Sequence, residues 1–324
     1  MKVFVIPDIH LKPWIFDRAE EFLSNVKFDR IVCLGDLVDD WGQETNLDLY
    51  NETFERAVQF IERHTNVLFC YGNHDISYVW NAHESGYSEE ARNTVLEGIS
   101  MLKEHLPQEA IGFIHRIDNV LFSHAGLLEV FVDHFLSDQQ INLDDMLMQI
   151  NSFGKDEMWC DASPIWARPQ DGWIDLYHKD MLQVVGHTPM AKTDYLNGLL
   201  TVDNFSTYRN GTPIGDQRFV WVDTVSKEWG FADRGDIPEE LPDPKLDIRS
   251  YQRGDRVVFK IKMHDSNEEE ILDGYVEIID RHPGGYVSID VIGERNGEKC
   301  FFKHLSLSDV IEHYETEEGY VSQL

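Results

Sequence analysis

The first half of the chain alternates short apolar runs with longer stretches of helical spacing. Residues 3–7, 30–34 and 66–71 are dominated by Val, Ile, Leu, Phe and Cys, and read as strands buried on both faces. Between them, 16–26 and 49–64 put apolar residues on one helical face. This β-α-β-α-β order predicts an α/β fold, a sheet with crossover helices. Residues 78–106 are helical in pattern but rich in Glu, Asn and His, and are expected as an insertion near the mouth of a site. The runs 111–117 and 120–123 read as an antiparallel pair turning at Asp118-Asn119. A helical pattern follows over 127–150. Next comes an irregular stretch over 158–177 holding Trp159, Trp166 and Trp173, then strands over 182–185, 199–202 and 218–223.

Periodicity stops after that. The run Ile237-Pro238-Glu239-Glu240-Leu241-Pro242-Asp243-Pro244 is proline-rich and acidic, and reads as an extended linker. Short strands are expected beyond it over 256–263, 274–280, 286–292 and 299–302, with a short helix over 308–314. Together these suggest a small SH3-like β-barrel. The expected organisation is a catalytic domain over 1–233, a linker over 234–250 and the small barrel over 251–324.

The chemistry sits directly after the apolar runs. Asp8-Ile9-His10, Gly35-Asp36-Leu37-Val38-Asp39, Gly72-Asn73-His74-Asp75, Ser123-His124-Ala125-Gly126 and Gly186-His187-Thr188-Pro189 each follow a predicted strand. They would meet at the C-terminal rim of a sheet, where open α/β folds bind ligands. Each motif alone reads as an ordinary turn, but the five in this order describe a site for two divalent ions. Ions roughly 3.5–4 Å apart need a bridging ligand, for which Asp36 is the candidate. Asp8 and His10 offer hard ligands to one ion. Asn73, His124 and His187 offer neutral ligands to the other. A bridging hydroxide would attack phosphorus in line. His74 would serve as general acid toward the leaving group, and Asp39 would hold its imidazole protonated and oriented.

Composition narrows the partners. With 28 Lys plus Arg against 59 Asp plus Glu the formal charge is −31, which argues against nucleic acid and anionic membranes. Residues 249–324 hold 16 acidic and 9 basic side chains, so the small barrel suits protein contact or self-packing better than nucleic acid. The expectation is a cytoplasmic protein. No secretory signal is expected, since the chain enters a strand at once, and no membrane span, since no apolar stretch is long enough. The four cysteines show no CxxC, which fits a reduced compartment.

On these motifs the chain resembles the calcineurin-like metallophosphoesterase superfamily over roughly residues 1–232. Within it, the chain is most similar to the branch of bacterial or phage phosphoprotein phosphatases and symmetrical diadenosine tetraphosphatases. The resemblance implies a four-layer α/β/β/α sandwich with a dimetal site at one end. It assigns Asp8, His10 and Asp36 to one ion, Asp36, Asn73, His124 and His187 to the other, and His74 with Asp39 to acid catalysis. Mn²⁺ is the leading ion, with Fe, Zn, Ni or Co as alternatives. Pro189 stands where nucleases of the superfamily carry an extra histidine, and so points to the phosphatase branch. Arg168, in Ile165-Trp166-Ala167-Arg168-Pro169, resembles a phosphate-binding arginine.

The sequence departs from the pattern in two places. Leu11 replaces a usual Gly, and Asp39-Asp40-Trp41-Gly42 replaces Asp-Arg-Gly, so that one phosphate contact is missing or supplied elsewhere. Trp14 and Trp41 could form an aromatic wall, and Asp203 could bond His187. The leading expectation is hydrolysis of phosphate monoesters in the manner of Ser/Thr phosphoprotein phosphatases. The alternative is a dinucleoside polyphosphate or nucleotide hydrolase using the same site. A non-catalytic scaffold fits less well, because every ligand position is filled.

Overall fold

A computed structural model describes residues 1–24, 26–136, 141–171, 174–232, 251, 253–262, 269–281, 287–295, 298–306 and 309–314. The expected linker over 234–250, and Trp173, lie outside them. The chain divides into two compact units, Met1–Ile237 and Pro238–Leu324.

In the first unit, three parallel strands carry the first three motifs: β1 (Lys2–Ile6), β2 (Arg30–Cys33) and β3 (Val67–Cys70). Helices α1 (Trp14–Leu23) and α2 (Leu47–Arg63) make the crossovers. The short β4 (Ile111–Gly112) extends the sheet beside β3. On the other side β10 (Val220–Asp223) and β11 (Trp229–Phe231) are added antiparallel. A second sheet is built from β5 (Ile114–Ile117), β6 (Val120–Ser123), β7 (Leu182–Val185), β8 (Asp194–Leu196) and β9 (Leu199–Thr201), in the order β5-β6-β7-β9-β8. In it β6, β7 and β9 are parallel.

The side-chain period of two explains the layering. Val3 and Val5 point one way and join Val32 and Cys70 of the first sheet with Phe122, Val184 and Leu200 of the second in one buried cluster. Phe4 and Ile6 point the other way, toward Ile15, Phe16 and Phe60 of the helices. The result is a mixed α/β sandwich of two sheets. Fully burying each such side chain contributes about 1.5–3 kcal/mol. Cys33 and Cys70 are buried thiols, and burial pushes the Cys33 thiol up to about 12. Among the described residues no helix is long and apolar enough to cross a membrane.

Three expectations need correction. Residues 111–117 are not one strand of a hairpin. The chain breaks at Phe113 and passes from the first sheet (β4) to the second (β5). Asn151, the last residue of α5 (Leu143–Asn151), makes this crossing possible: its Oδ1 accepts from the N–H groups of Phe113 and Ile114, and its Nδ2 donates to the Ile114 carbonyl. Secondly, most of 78–106 is no insertion at a mouth. It holds α4 (Arg92–His105), which buries Val95, Ile99 and Leu102 and approaches α2 so closely that a Cβ on Gly98 would sit 2.2 Å from the Phe54 ring. Tyr78, near the end of α3 (Asn73–Trp80), and the segment 81–91 that leads to α4 are the parts that reach the site.

The third correction concerns the second unit, an all-antiparallel sheet. Its strands are β12 (Arg256–Lys262), β13 (Glu269–Arg281), β14 (Val287–Arg295), β15 (Glu298–Ser306) and β16 (Val310–Tyr314), in the order β15-β14-β13-β12-β16. Val257, Phe259, Val276, Ile289 and Val291 form its core. The expected helix over 308–314 is strand β16. Val310, Ile311 and Tyr314 favour a pleated surface, and β16 covers an open edge of β12. Among the described residues the pairings run from β15 to β16 without closing, so they do not establish the expected SH3-like barrel.

Asn151→Ala would strand three main-chain groups at the crossing between sheets. Each buried unpaired group costs roughly 1–3 kcal/mol. Partial relaxation should leave a loss of about 2–3 kcal/mol in urea unfolding, and a loss below about 0.5 kcal/mol would show that the crossing does not depend on Asn151.

Candidate active site

Because β1, β2 and β3 run parallel, as do β6, β7 and β9, the loops at their C-terminal ends gather at one end of the sandwich. Asp8 and His10 follow β1, Asp36 and Asp39 follow β2, and Asn73 and His74 open α3. His124 follows β6, His187 follows β7 and Asp203 follows β9. Sharp turns are needed to aim these side chains. His10, Leu11, Asp36, Asp39 and His187 all have left-handed backbones, with φ of 45°, 54°, 47°, 65° and 63°. Each costs an L-residue roughly 1–2 kcal/mol, and such strain collects at functional sites. Leu11 keeps the conformation a glycine would take there, and its side chain is buried. Two glycines make room for carboxylates: a Cβ on Gly72 would lie 2.0 Å from Asp36 Oδ1, and one on Gly186 would lie 1.8 Å from Asp8 Oδ1.

Asp36 stands at the centre. Its Oδ2 lies 3.2 Å from His124 Nε2 and 3.7 Å from His10 Nε2, and its Oδ1 accepts from the His74 main-chain N–H at 2.9 Å. The tautomers follow from the carbonyls that hold these rings. His124 Nδ1 donates to the Leu34 carbonyl (2.8 Å) and His10 Nδ1 to that of Asp39 (2.8 Å). In the neutral rings, both Nε2 lone pairs therefore face the site. Around His124 Nε2 gather Asp36 Oδ2, Asn73 Oδ1 at 3.0 Å and His187 Nδ1 at 3.1 Å.

These atoms are mostly acceptors, and a single proton cannot satisfy them all. Asp8 Oδ1 and His187 Nε2 are also buried without a hydrogen-bond partner. Such a set of oxygens and imidazole nitrogens fits divalent cations. Two groups of candidate ligands form, His10-Asp36-His74 and Asp36-His124-His187, each with atoms within 4.8 Å of one another, and Asp36 is common to both. Asp8 belongs to neither group. Its Oδ2 accepts from the His187 N–H at 2.9 Å.

The charges agree with this arrangement. Burial pushes the Asp36 carboxyl upward, but His124, His74 and His10 overcome it and hold the group far below the ordinary carboxylate range. Burial likewise opposes charge on His124, yet Asp36 and Asp8 bring it up to about 9. Burial, then Arg168 and His124, drive His187 well down, and burial drives His10 down. Burial, with Asp203 next, raises Asp8.

His74 and Asp39 form a dyad. His74 Nδ1 donates to Asp39 Oδ2 at 3.0 Å, while Asp39 Oδ1 accepts from the hydroxyls of Tyr50 (2.7 Å) and Tyr78 (2.5 Å). Burial disfavours charge on His74, but Glu84, Asp36 and Asp39 outweigh it and raise its pKa well above the usual value. Arg168 lies beside His187, where its Nη1 donates to the His187 carbonyl (3.1 Å) and to Thr188 Oγ1 (3.0 Å). Asp40 is paired with the buried Lys12 at 3.0 Å and accepts from Thr207. Trp14 packs against Phe205, and Trp41 carries the Arg209 guanidinium 4.4 Å from its ring centroid. Asp203 does not bond His187 as expected; its Oδ1 accepts from Ser206.

The sequence reading missed four contributors. Asp75 accepts from the N–H groups of Asp36, Leu37 and Gly72, which ties the loop after β2 to that after β3. Its place directly after His74, three residues beyond Gly72, is a capping signal that was available. Tyr50 and Tyr78 sit on buried helical faces and read as core. Glu84 lies in the polar stretch, where nothing in the sequence distinguishes it from its neighbours.

The family model for calcineurin-like phosphoesterases matches residues 1–215. No match was found among curated proteins. Similar solved structures include a protein serine/threonine phosphatase from Saccharomyces cerevisiae with similarity to human phosphatase PP5. It is 14% identical with TM-score 0.41, and the match covers 88% of this chain and 84% of that one. A metallophosphoesterase from Sphaerobacter thermophilus is 15% identical with TM-score 0.34, covering 71% and 86%. Yfce, a phosphoesterase from E. coli, is 14% identical with TM-score 0.31, covering 69% and 88%. The chain belongs to the calcineurin-like phosphoesterase family, whose members are metal-dependent hydrolases of phosphoric esters.

In Gly186→Ala the three atoms nearest the new methyl group would all belong to the Asp8 carboxylate, so that side chain must turn away. Affinity for Mn²⁺, measured by titration of metal-stripped protein, should fall tenfold or more, about 1.4 kcal/mol, with circular dichroism unchanged. Unaltered affinity would remove Asp8 from the ligands.

Proposed function

We propose that the protein hydrolyses phosphate monoesters at a binuclear centre within residues 1–233, in the manner of Ser/Thr phosphoprotein phosphatases. The observation that carries this reading is the sharing of one carboxylate, Asp36, between two groups of candidate ligands. Asp8, His10 and Asp36 would hold one ion, and Asp36, Asn73, His124 and His187 the other. When bound, two divalent ions, Mn²⁺ foremost, would supply Lewis acidity toward phosphoryl oxygens and a water-derived nucleophile at neutral pH.

The protein's own residues do the rest. His74 holds a proton for the leaving-group oxygen. Asp39, with one oxygen fixed by Tyr50 and Tyr78, keeps the imidazole turned and charged. Arg168, anchored beside His187, orients a phosphate. One observation favours nucleotide or dinucleoside polyphosphate substrates instead. Arg209 stacked on Trp41, next to Asp40, offers a cation and a flat apolar face together. Side-by-side turnover of a phosphopeptide and diadenosine tetraphosphate by Mn²⁺-loaded protein decides between them, and the monoester reading requires the phosphopeptide to be the better substrate.

Asp36→Asn should abolish turnover and lower metal content; unchanged turnover would sink the binuclear assignment. His74→Asn should retain both ions and lose about 10²–10⁴-fold on alkyl phosphates, the range of general acid–base catalysis. The loss on aryl phosphates, whose leaving groups need little protonation, should be much smaller. Equal losses on both would remove His74 as the acid.

A further inference from the structure

The segment 81–91 is held over the dyad by its own contacts. Asn81 ends α3 in a left-handed conformation (φ 48°), and the Ala82 N–H returns to the Ser77 carbonyl. Tyr87 stacks on Tyr78 with ring centroids 4.3 Å apart, the Ser88 N–H donates to the Tyr78 hydroxyl at 2.9 Å, and Ser88 Oγ reaches the Glu44 carbonyl. Gly86, with φ of 94°, lies against Asp39 and His74. This strap delivers one carboxylate into the site, that of Glu84, whose side chain is 5% exposed.

Glu84 Oε2 accepts from Asn73 Nδ2 at 2.6 Å. Its Oε1 lies 3.6 Å from His74 Nδ1, too far for a hydrogen bond, and is otherwise buried without a partner. An asparagine side chain can present either its oxygen or its nitrogen to a given neighbour, and the two orientations are nearly equal in shape. Only the oxygen can ligate a cation. A carboxylate can only accept, so Glu84 selects the orientation with nitrogen toward itself and oxygen toward His124. We propose that Glu84 is a positioning residue for the metal centre, fixing the Asn73 amide so that Oδ1 faces the ions. This rests on the reading of Asn73 as a ligand. Groups that orient a ligand in this way typically change metal affinity 10–100-fold.

The test compares Glu84→Gln with Glu84→Met in the full chain. Both side chains fill the same buried space, but only Gln keeps an oxygen that accepts from Asn73. Mn²⁺ binding to metal-stripped protein is measured by competition with a chelating indicator, and folding is checked by circular dichroism. Glu84→Met should weaken one of the two ions roughly 10–100-fold, and Glu84→Gln should stay within about threefold of the parent, as expected where the oxygen matters more than the charge. Asn73→Ala should weaken the same ion. A parent-like affinity in Glu84→Met beside a weakened Asn73→Ala overturns the role of Glu84 and leaves Asn73 a ligand. Glu84→Gln as weak as Glu84→Met overturns it too, since charge rather than orientation would then matter. Parent-like affinity in Asn73→Ala removes the ligand reading itself.

Discussion

Asp36 ties the loops of the site together. Its carbonyl accepts from the N–H groups of Ile9 and His10, which fixes the loop after β1. Its own N–H donates to Asp75, and its Oδ1 accepts from the His74 N–H, which fixes the loop after β3. That leaves Oδ2 for the imidazoles. One residue thus spends its main chain on assembling the loops and its side chain on the chemistry. The left-handed φ of 47° is what lets it do both, because it turns the carbonyl toward one loop while the side chain faces the other.

Asp75 completes this device. Three N–H groups converge on its carboxylate from two loops, yet burial, the largest influence on it, brings it up to about 7. A carboxylate accepting several backbone N–H bonds would ordinarily lie low. The neighbouring negative charge of Asp36 adds to the burial and keeps it high. The site therefore holds its central candidate ligand in place by putting a second carboxylate directly behind it, a costly arrangement unless positive charge enters in front.

The parts legible in the sequence were those governed by local rules. Parallel strands buried on both faces must be continuous apolar runs, so β1, β2, β3, β6 and β7 stood out, and polar residues just past them had to share one rim. The parts that were not legible depend on partners far along the chain. The break at Phe113 is stabilised by Asn151, 38 residues away. The polar surface of α4 hid a buried stripe that joins the core beside α2, where Gly98 meets the Phe54 ring. Tyr50 and Tyr78 look like ordinary core residues until their hydroxyls are seen to meet on Asp39. Glu84 has no local signature, because its importance comes from the strap that carries it.

The charge pattern also explains how so acidic a chain can attract an anion. Asp8, Asp36, Asp39, Asp75 and Asp203 are all buried at this end of the sandwich, and the Glu84 side chain joins them. Several are compensated within the protein: Asp39 by two tyrosines and His74, Asp75 by main-chain N–H groups, Asp36 by imidazoles. Asp8 Oδ1, Asp203 Oδ2 and Glu84 Oε1 keep buried oxygens with no hydrogen-bond partner. Lys12 offsets Asp8 and Asp203 only in part, because Asp40 already pairs with it. Nearby carboxylates repel a phosphate dianion, and the low dielectric strengthens that repulsion. Two divalent ions at the two Asp36 groups would add four positive charges beside these carboxylates, and so reverse the local field. Affinity for phosphate at this site is then conditional on metal occupancy rather than on the surrounding surface.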